Sequence, residues 1–368
     1  MELQKHFSEV KDYRVVGRCL HKLDELLILC LIATIADCDD YTEMCDYLGE
    51  KLDFLRSDVC LELANGIPSE DTFWRVNRYL SSTELEKAMV SCSMDLFNQL
   101  KTKHLCIDGK QHRGTIPLGK KCALVQTVSV WVGELSLSFG QLSVDKKSNE
   151  IKAIPKLLSS IEAPGSVITI DAIACQKAIV KKIVEDNKCD YVIALKENQE
   201  GLYEQVSEWV ANRKSGLACC ETVEKGHGRI ETRRVYICPN APEFLEATQD
   251  WIGLETLVMV ERIRSMNGKE EKSNTFYISS LSNVSPKDMG IYVRNHWSIE
   301  NQLHWQLDVT FREDHSQVKK GFGPTNLNIY RKFALFLLSK NTEKISIKRK
   351  RKKAAKNDLF LLSILTPT

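Results

Sequence analysis

The chain has 368 residues, of which 43% are hydrophobic and 27% are charged, with a formal net charge of +2. At roughly 100–200 residues per domain, this length predicts two domains, or one large domain with an attached module. The composition is ordinary for a globular protein and excludes intrinsically disordered, collagen-like and fibrous chains.

The thirteen cysteines are scattered along the chain without a C-x-x-C pair, and the adjacent Cys219 and Cys220 do not have the spacing of a zinc site. They are interpreted as reduced thiols of a cytoplasmic protein. The longest apolar run, Leu26 to Ala36, is too short for a membrane span of roughly 20 residues and predicts a buried helix. No secretion signal is recognised at the start of the chain, so we expect neither export nor membrane insertion.

Residues 1–100 are predicted to form a helical N-terminal domain. The predicted helices cover 23–36, 42–55, a segment that opens at Pro68, and 83–100. Ser69 precedes two acids, and its hydroxyl is expected to cap the third of these helices. Three short helices in a row are typical of a helix-turn-helix, which would place Thr72, Arg75 and Arg78 on a helix that contacts DNA. A region that only packs on the next domain is an equally good interpretation.

Residues 101–340 are predicted to form an α/β domain. In chain order, the sequence predicts strands over 104–107, 123–132 and 135–144, a helix over 150–161, a strand over 166–170, a helix over 175–185 and a strand over 191–195. Three antiparallel strands followed by helix, strand, helix and strand is the element order of the ribonuclease H-like fold. Strands over 231–238, 256–264 and 273–280 indicate a β-rich insertion at about 200–290, before helices over 286–294 and 299–307.

Three acids are candidate catalytic residues. Asp108 and Asp171 each end an apolar strand, and the carboxyl ends of such strands are where ligands gather in an α/β sheet. Glu300 lies on the predicted helix 299–307, with His296 and His304 one turn before and after it. Each acid alone is an ordinary strand-end or surface residue. Together, three hard oxygen ligands suit Mg²⁺ or Mn²⁺ and phosphoryl transfer with two metal ions.

Several separated motifs carry a resemblance to a known family. They are Asn65–Phe73, Ile107-Asp-Gly-Lys110, Thr169-Ile-Asp-Ala172, Tyr191–Lys196, His227–Arg233 and His296–Asn301 with Leu303–Trp305. In this order they resemble bacterial insertion-sequence transposases of the DDE (Asp-Asp-Glu) type, in particular the H-repeat-associated group linked to Rhs elements. The resemblance covers about residues 7–340. It implies a ribonuclease H-like catalytic core in which Asp108, Asp171 and Glu300 hold the divalent ions.

The resemblance also implies that the partner is DNA, at both transposon ends and target, that a homodimer forms on DNA, and that the protein is nucleoid-associated when bound. The candidate phosphate contacts are Lys110, Arg113, Lys196, Arg229, Arg233, Arg234, His296, His304, Lys348 and Arg349. Related enzymes place Tyr, Arg and Lys at positions that Val293, His296 and Leu307 occupy here, so His296 is expected to make only part of the Arg contact.

The last segment, residues 341–368, is predicted to be a basic tail. Between Lys340 and Lys356 there are nine Lys or Arg residues and one acid. Such a run attracts a polyanion, although a solvated, disordered tail is as good an interpretation. Two other functions also stay open. One is a stand-alone metal-dependent nuclease, which would cut DNA without joining it. The other is a transposase-derived DNA-binding protein without activity, because the segment from Lys344 onwards does not follow the family pattern.

Overall fold

The computed structural model describes residues 2–101, 103–112, 125–144, 150–226, 228–243, 245–266 and 268–366. Its N-terminal region is helical, as predicted. The helices are α1 Glu2–Ser8, α2 Leu23–Ile35, α3 Tyr41–Glu50, α4 Leu52–Ser57, α5 Glu70–Tyr79, α6 Ser82–Ser91 and α7 Met94–Asn98. Two predicted helices are therefore each split in two. The predicted cap is wrong, because the Ser69 hydroxyl lies 3.1 Å from the Thr72 hydroxyl and does not bond a backbone N–H of α5.

Helix α2 is the centre of this helical region. All of its residues except Asp24 are buried, and a helix that is apolar on every side has to be surrounded by protein or lipid. Here the surrounding groups are protein. Within the described part of the chain, no helix is both long enough and apolar enough to cross a membrane.

Among the described residues, nine strands form one sheet in the order β3-β2-β1-β4-β5-β9-β8-β7-β6. The first five strands are β1 His104–His112, β2 Val125–Val132, β3 Leu137–Val144, β4 Val167–Ile170 and β5 Asp190–Leu195. Strands β1 to β3 are antiparallel neighbours, while β4 and β5 run parallel to β1. With helices α8 Glu150–Leu158 and α9 Lys177–Lys181 between the later strands, this is the ribonuclease H-like α/β arrangement that the sequence predicts.

The strands of the insertion extend the same sheet. They are β6 Ala218–Gly226, β7 Arg229–Cys238, β8 Thr256–Met266 and β9 Lys269–Ser279; helix α10 Glu200–Arg213 precedes β6, and helix α11 Glu246–Gln249 lies between β7 and β8 in the chain. Strand β9 pairs with β5, so the insertion is joined to the core by backbone hydrogen bonds. Strand β6 is not predicted from the sequence, because most of its residues are exposed and it lacks the apolar alternation of a half-buried strand.

The C-terminal helices are α12 Pro286–His296, α13 Gly323–Lys340, α14 Ile347–Lys356 and α15 Asp358–Leu365. Helix α13 links the two regions of the protein. Its Asn326 donates to the carbonyl oxygen of Asn77 on α5 at 2.9 Å, and its Lys332 donates to the hydroxyl of Ser129 on β2 at 2.8 Å. The interpretation of residues 341–368 as a disordered tail is wrong. Arg351 and Ala354 of α14 and four residues of α15, Phe360, Leu361, Ile364 and Leu365, are buried against the rest of the protein.

Candidate active site

The two aspartates follow directly on paired residues of neighbouring strands. Strands β1 and β4 are parallel, and Ile107 is the partner of Ile170 in their register. Asp108 and Asp171 are the next residues on each strand. Because paired strands lie roughly 5 Å apart, the sheet brings the two carboxylates to one place, although 63 positions separate them in the sequence.

The helix that carries Glu300 crosses this part of the sheet. After α12 it continues as two π-helical segments, Ile299–His304 and Gln306–Thr310. An α-helix has 3.6 residues per turn, and a π turn contains more residues than an α turn. A helix that mixes the two therefore averages about four residues per turn, so every fourth residue lies on the same side. A buried row with this spacing consists of Ile299, Leu303, Leu307 and Phe311.

The adjacent row faces the sheet around the aspartates and consists of His296, Glu300, His304 and Asp308. His296 Nδ1 lies 3.0 Å from the Thr169 hydroxyl on β4. His304 Nδ1 lies 3.6 Å from a carboxylate oxygen of Asp108. Glu300 is exposed and comes between these two histidines, so it lies over the strands that present Asp108 and Asp171. As predicted, the two histidines flank it on one face.

The environment of Asp108 is strongly acidic. The pKa of Asp108 is raised to about 7, chiefly because the carboxyl group is buried. A hydrogen bond from the Gly109 backbone lowers this pKa, whereas the negative charges of Glu300, Glu150 and Asp171 raise it. Asp171 differs: its side chain is 46% exposed, lies 3.4 Å from Lys196 Nζ, and accepts a hydrogen bond from the Ala172 N–H at 2.7 Å.

Glu150, the first residue of α8, is an acid of this site that sequence reasoning missed. A Cβ atom built on Gly109 would overlap Glu150 Oε1. Glycine at this position therefore makes room for the Glu150 carboxylate beside Asp108. The available signal was an acid opening the helix that follows the third strand, a placement that helix dipoles also favour for structural reasons alone.

The donor set fits a hard divalent cation. The three predicted ligands are carboxylates, which Mg²⁺ and Mn²⁺ prefer, and the mutual repulsion around Asp108 is what a cation would relieve. The side chains are not gathered into a finished cage. Among the residues that the structure describes, no three His, Cys, Asp or Glu side chains lie close enough to share one metal ion.

Lys110 is not placed as a phosphate contact, which corrects the prediction. Its side chain is only 10% exposed, and its ammonium group donates to Asp308 Oδ1 at 2.6 Å and to Glu313 Oε2 at 2.7 Å. A lysine held between two carboxylates would have to leave both before it could bind DNA. Arg113 lies outside the described residues.

The predicted arginines of the insertion are ion-paired with acids, for Arg233 and Arg234 on the neighbouring strands and for Arg229 on its own strand β7. Arg233 lies 3.1 Å from Glu224, and Arg234 lies 3.2 Å from Glu261. Arg229 Nε is 3.7 Å from a carboxylate oxygen of Glu231. These acidic partners neutralise the charges, so the structure does not single out the three arginines as phosphate contacts.

The two histidines also differ from the prediction, which treated them as DNA contacts. Burial lowers the pKa of His296 to about 4, although Asp171 opposes this shift. His296 is therefore neutral at pH 7, and its bond to Thr169 gives it a structural role in place of the expected Arg contact. His304 lies against Asp108 and is mostly buried. Val293 and Leu307, at the other two family positions, are buried core residues.

Other predicted contacts lie on the surface. Lys196 is 61% exposed beside Asp171, and Lys348 and Arg349 lie on the exposed face of α14. On α5, Arg75 is exposed but ion-paired with Asp71, and the Arg78 guanidinium stacks over the Trp74 ring at 4.8 Å. The Thr72 hydroxyl contacts Ser69.

Comparison with known families accounts for this arrangement. The family model described as "Transposase DDE domain" matches residues 99–337, which include Asp108, Asp171 and Glu300, and the model described as "DDE_Tnp_1-associated" matches residues 4–92. The chain belongs to the DDE transposase family. Among solved structures, the piggyBac transposase synaptic complex with hairpin DNA aligns with a TM-score of 0.43 and 12% identity, over 100% of this chain and 78% of that chain.

Two Escherichia coli proteins with transposase names are similar to this DDE family member over nearly its whole length. YncI of strain O157:H7 is 35% identical over 99% of this chain and 94% of its own length. The H repeat-associated protein YhhI of strain K12 is 32% identical over 99% of this chain and 98% of its own length. Because these matches cover 99% of the chain, they include most of the segment after Lys344. The expectation that this segment departs from the family is therefore wrong.

Proposed function

We propose that this protein is an insertion-sequence transposase that cuts phosphodiester bonds at the ends of its element and joins the freed 3′-end to target DNA. The observation that carries the proposal is the register of Ile107 with Ile170, which puts Asp108 and Asp171 on adjacent strands beneath the helix of Glu300. In this proposal the three acids, which come from distant parts of the chain, act together over strands β1 and β4, in the order that gives the family its name.

In this proposal Asp108, Asp171 and Glu300 hold two divalent ions, Mg²⁺ or Mn²⁺. When bound, such ions lower the pKa of the attacking water or 3′-hydroxyl and neutralise the leaving oxygen. The carboxylates act by fixing charge in place and need not carry protons. No side chain has to form a covalent bond with DNA, because the nucleophile is water in the cutting step and a DNA 3′-hydroxyl in the joining step.

DNA is held in this proposal by exposed cations. Lys196 lies close to Asp171 and would meet a phosphate near the cut, whereas Lys348 and Arg349 lie on a separate surface and would bind flanking DNA. Contacts of this kind give affinity and salt dependence but little sequence choice. The exposed side of α5, with Arg75 and Arg78, is a candidate for reading the element ends. Bringing two ends together requires two active sites, so we expect a dimer on DNA.

The direct test is strand cutting by an Asp108→Asn variant on DNA that contains an element end and Mg²⁺. We expect cutting to be abolished while end binding, measured by gel shift, stays at the wild-type level. The matched control is Asp250→Asn, which removes an exposed carboxylate charge that accepts a hydrogen bond from Lys177 on the surface at 2.9 Å. Undiminished cutting by Asp108→Asn would disprove the assignment.

A strand-transfer assay separates the alternatives. A transposase joins a pre-cut 3′-end to target DNA, whereas a simple metal nuclease cuts and does not join. A protein that binds ends but performs neither reaction would be a DNA-binding descendant of a transposase. The name "Inactive transposase YbfQ" belongs to a relative that aligns with only 21% of this chain, whereas the present chain carries all three acids.

A further inference from the structure

Lys110 shares a strand face with Asp108. Side chains two residues apart on a strand point to the same side of the sheet, and the two residues lie on β1. Lys110 nevertheless points away from solvent, with a side chain only 10% exposed. Burial opposes its charge, but Glu313 and Asp308 outweigh that effect and raise the pKa of Lys110 above its ordinary value.

Both partners of Lys110 belong to the segment that carries Glu300. Asp308 lies eight residues after Glu300, in the same row of every fourth residue along the helix. Glu313 follows the end of that helix, is 6% exposed, and is bound in turn by the side-chain amide of Asn328 on α13. The ammonium group therefore joins the strand of Asp108 to the helix of Glu300, and Asn328 fixes one end of the junction in the core.

The balance of charge shows why this contact is firm. Glu313 is buried near Arg331 and Lys332 as well as Lys110, so its carboxylate lies among three cations with little water, whereas the Asp308 side chain stays 37% exposed. Removal of one partner from such a group leaves an uncompensated buried charge, which is strongly unfavourable. The group therefore keeps one arrangement, and it keeps the two elements that carry Asp108 and Glu300 in one relative position.

We propose that Lys110 is a positioning residue for strand cutting: by pairing with Asp308 and Glu313, it sets the separation of the Asp108 and Glu300 carboxylates. The inference deepens the proposed function and rests on it, since it concerns ions shared by those two acids. It assigns to Lys110 a role opposite to that of a phosphate contact, which would need an exposed and unpaired ammonium group.

Whether Lys110→Met binds Mn²⁺ more weakly or more tightly distinguishes a positioning role of Lys110 from an effect of its positive charge alone. If Lys110 acted only as a positive charge near an acidic site, Lys110→Met would remove repulsion and tighten the binding of Mn²⁺. If Lys110 positions the carboxylates, the same substitution loosens their arrangement and weakens the binding. We expect Mn²⁺, titrated into the DNA-free protein and followed by electron paramagnetic resonance, to bind Lys110→Met at least about tenfold more weakly than wild type.

The cutting rate and the end-binding constant complete the test. Lys110→Met should cut at least about 100-fold more slowly and bind element ends as wild type does, with the same dependence on salt. Lys177→Met is the matched control, because it removes an exposed lysine that is also paired with an aspartate; it should change neither Mn²⁺ affinity nor cutting. Lys110→Arg is the second variant, should Lys110→Met not fold; it keeps the positive charge but changes the geometry of the pairing, so positioning predicts weaker Mn²⁺ binding and charge alone predicts no change.

Two results would overturn the inference. Equal or tighter Mn²⁺ binding by Lys110→Met, or by Lys110→Arg in its place, would show that the pairing does not position the acids. A decrease of about 1 in the slope of log K against log salt for end binding would identify Lys110 as a phosphate contact. Failure of the proposed function would give a different result, because the wild-type protein would then bind Mn²⁺ without cutting DNA. The Mn²⁺ affinities of the wild type and of Lys110→Met would still decide the role of Lys110.

Discussion

The guanidinium of Arg351 donates a hydrogen bond to the carbonyl oxygen of Thr310, with Nη1 and the oxygen 2.6 Å apart. Thr310 is the last residue of the second π-helical segment, where carbonyl groups have no partner within the helix and a nearby cation is favourable. Arg351 also lies 2.9 Å from Asp37 and 3.2 Å from Asp39. The C-terminal segment thus fixes the end of the helix that carries Glu300.

Substitution of Arg351 is expected to destabilise the whole protein. Arg351→Met leaves Asp37 and the Thr310 carbonyl without their buried partner, and the loss of one member of such a group costs about 3–5 kcal/mol. The free energy of unfolding, measured in urea, should fall by that amount. Arg349→Met, on the exposed face of the same helix, is the control and should change it by less than about 0.5 kcal/mol. Equal stability of the two variants would contradict the described docking of α14.

Substitution of Gly109 should disturb the acidic site through Glu150. In Gly109→Ala the new Cβ would overlap Glu150 Oε1, so the Glu150 carboxylate has to move. Because this carboxylate is the end of a flexible side chain, it can move at little cost, so we expect slower strand cutting with a thermal stability close to that of the wild type. The double variant Gly109→Ala with Glu150→Ala should cut no more slowly than Glu150→Ala alone, because the substitution at Gly109 acts through Glu150. Cutting by Gly109→Ala at the wild-type rate would contradict a role for the close approach of Glu150.

The stability of the protein should fall as the pH falls below about 6.5. Burial lowers the pKa of His104 to about 3, and the nearby His296 lowers it further. The unfolded chain then takes up protons at a pH where the folded protein does not, so acid favours unfolding. The slope is about 1 kcal/mol per pH unit for one histidine between pH 6.5 and pH 4. Urea unfolding of His104→Gln at several pH values should show a smaller slope, while the exposed His315→Gln should match wild type.

The exposed face of α14 should contribute to DNA affinity through charge alone. We expect replacement of its exposed cations by glutamine to weaken binding to any duplex and to lower the slope of log K against log salt by about 0.9 for each phosphate that is no longer neutralised. The four residues are Lys348, Arg349, Lys352 and Lys356. A control with the same net charge replaces Lys87, Lys156, Lys181 and Lys188. If both variants bind DNA equally weakly, the effect is one of net charge and α14 is not a binding surface.

The sequence allowed Asp108 and Asp171 to be predicted because their signal is local. An acid directly after a short apolar run is visible in five or six residues, and the order of the elements then makes the two strands neighbours. The predicted strand end is right for Asp171, whereas β1 continues past Asp108 to His112. The row of His296 and His304 around Glu300 was predictable for the same reason, since a helical period is a local property. The wider π turns were not predictable, but they improve the alignment of that row and leave its members unchanged.

Lys110 was predicted wrongly because its partners are remote. Asp308 and Glu313 lie 198 and 203 positions further along the chain, and no local pattern reports a contact over that separation. The same limit applies to the basic C-terminal segment. The composition of this segment suggested a solvated tail. In the structure, Arg351 pairs with Asp37 and Asp39, which follow α2 and lie more than 300 positions away in the sequence.

The continuity of the sheet across β5 and β9 has a consequence for shortened forms of this protein. Strand β5 is buried on both faces, and its apolar residues Tyr191–Leu195 have β9 as the neighbour on one side. A natural or engineered form that lacked residues 200–285 would leave this strand with a bare, apolar hydrogen-bonding edge, which is a template for aggregation. Any such form would need a substitute strand or a charged residue at this edge to avoid aggregation.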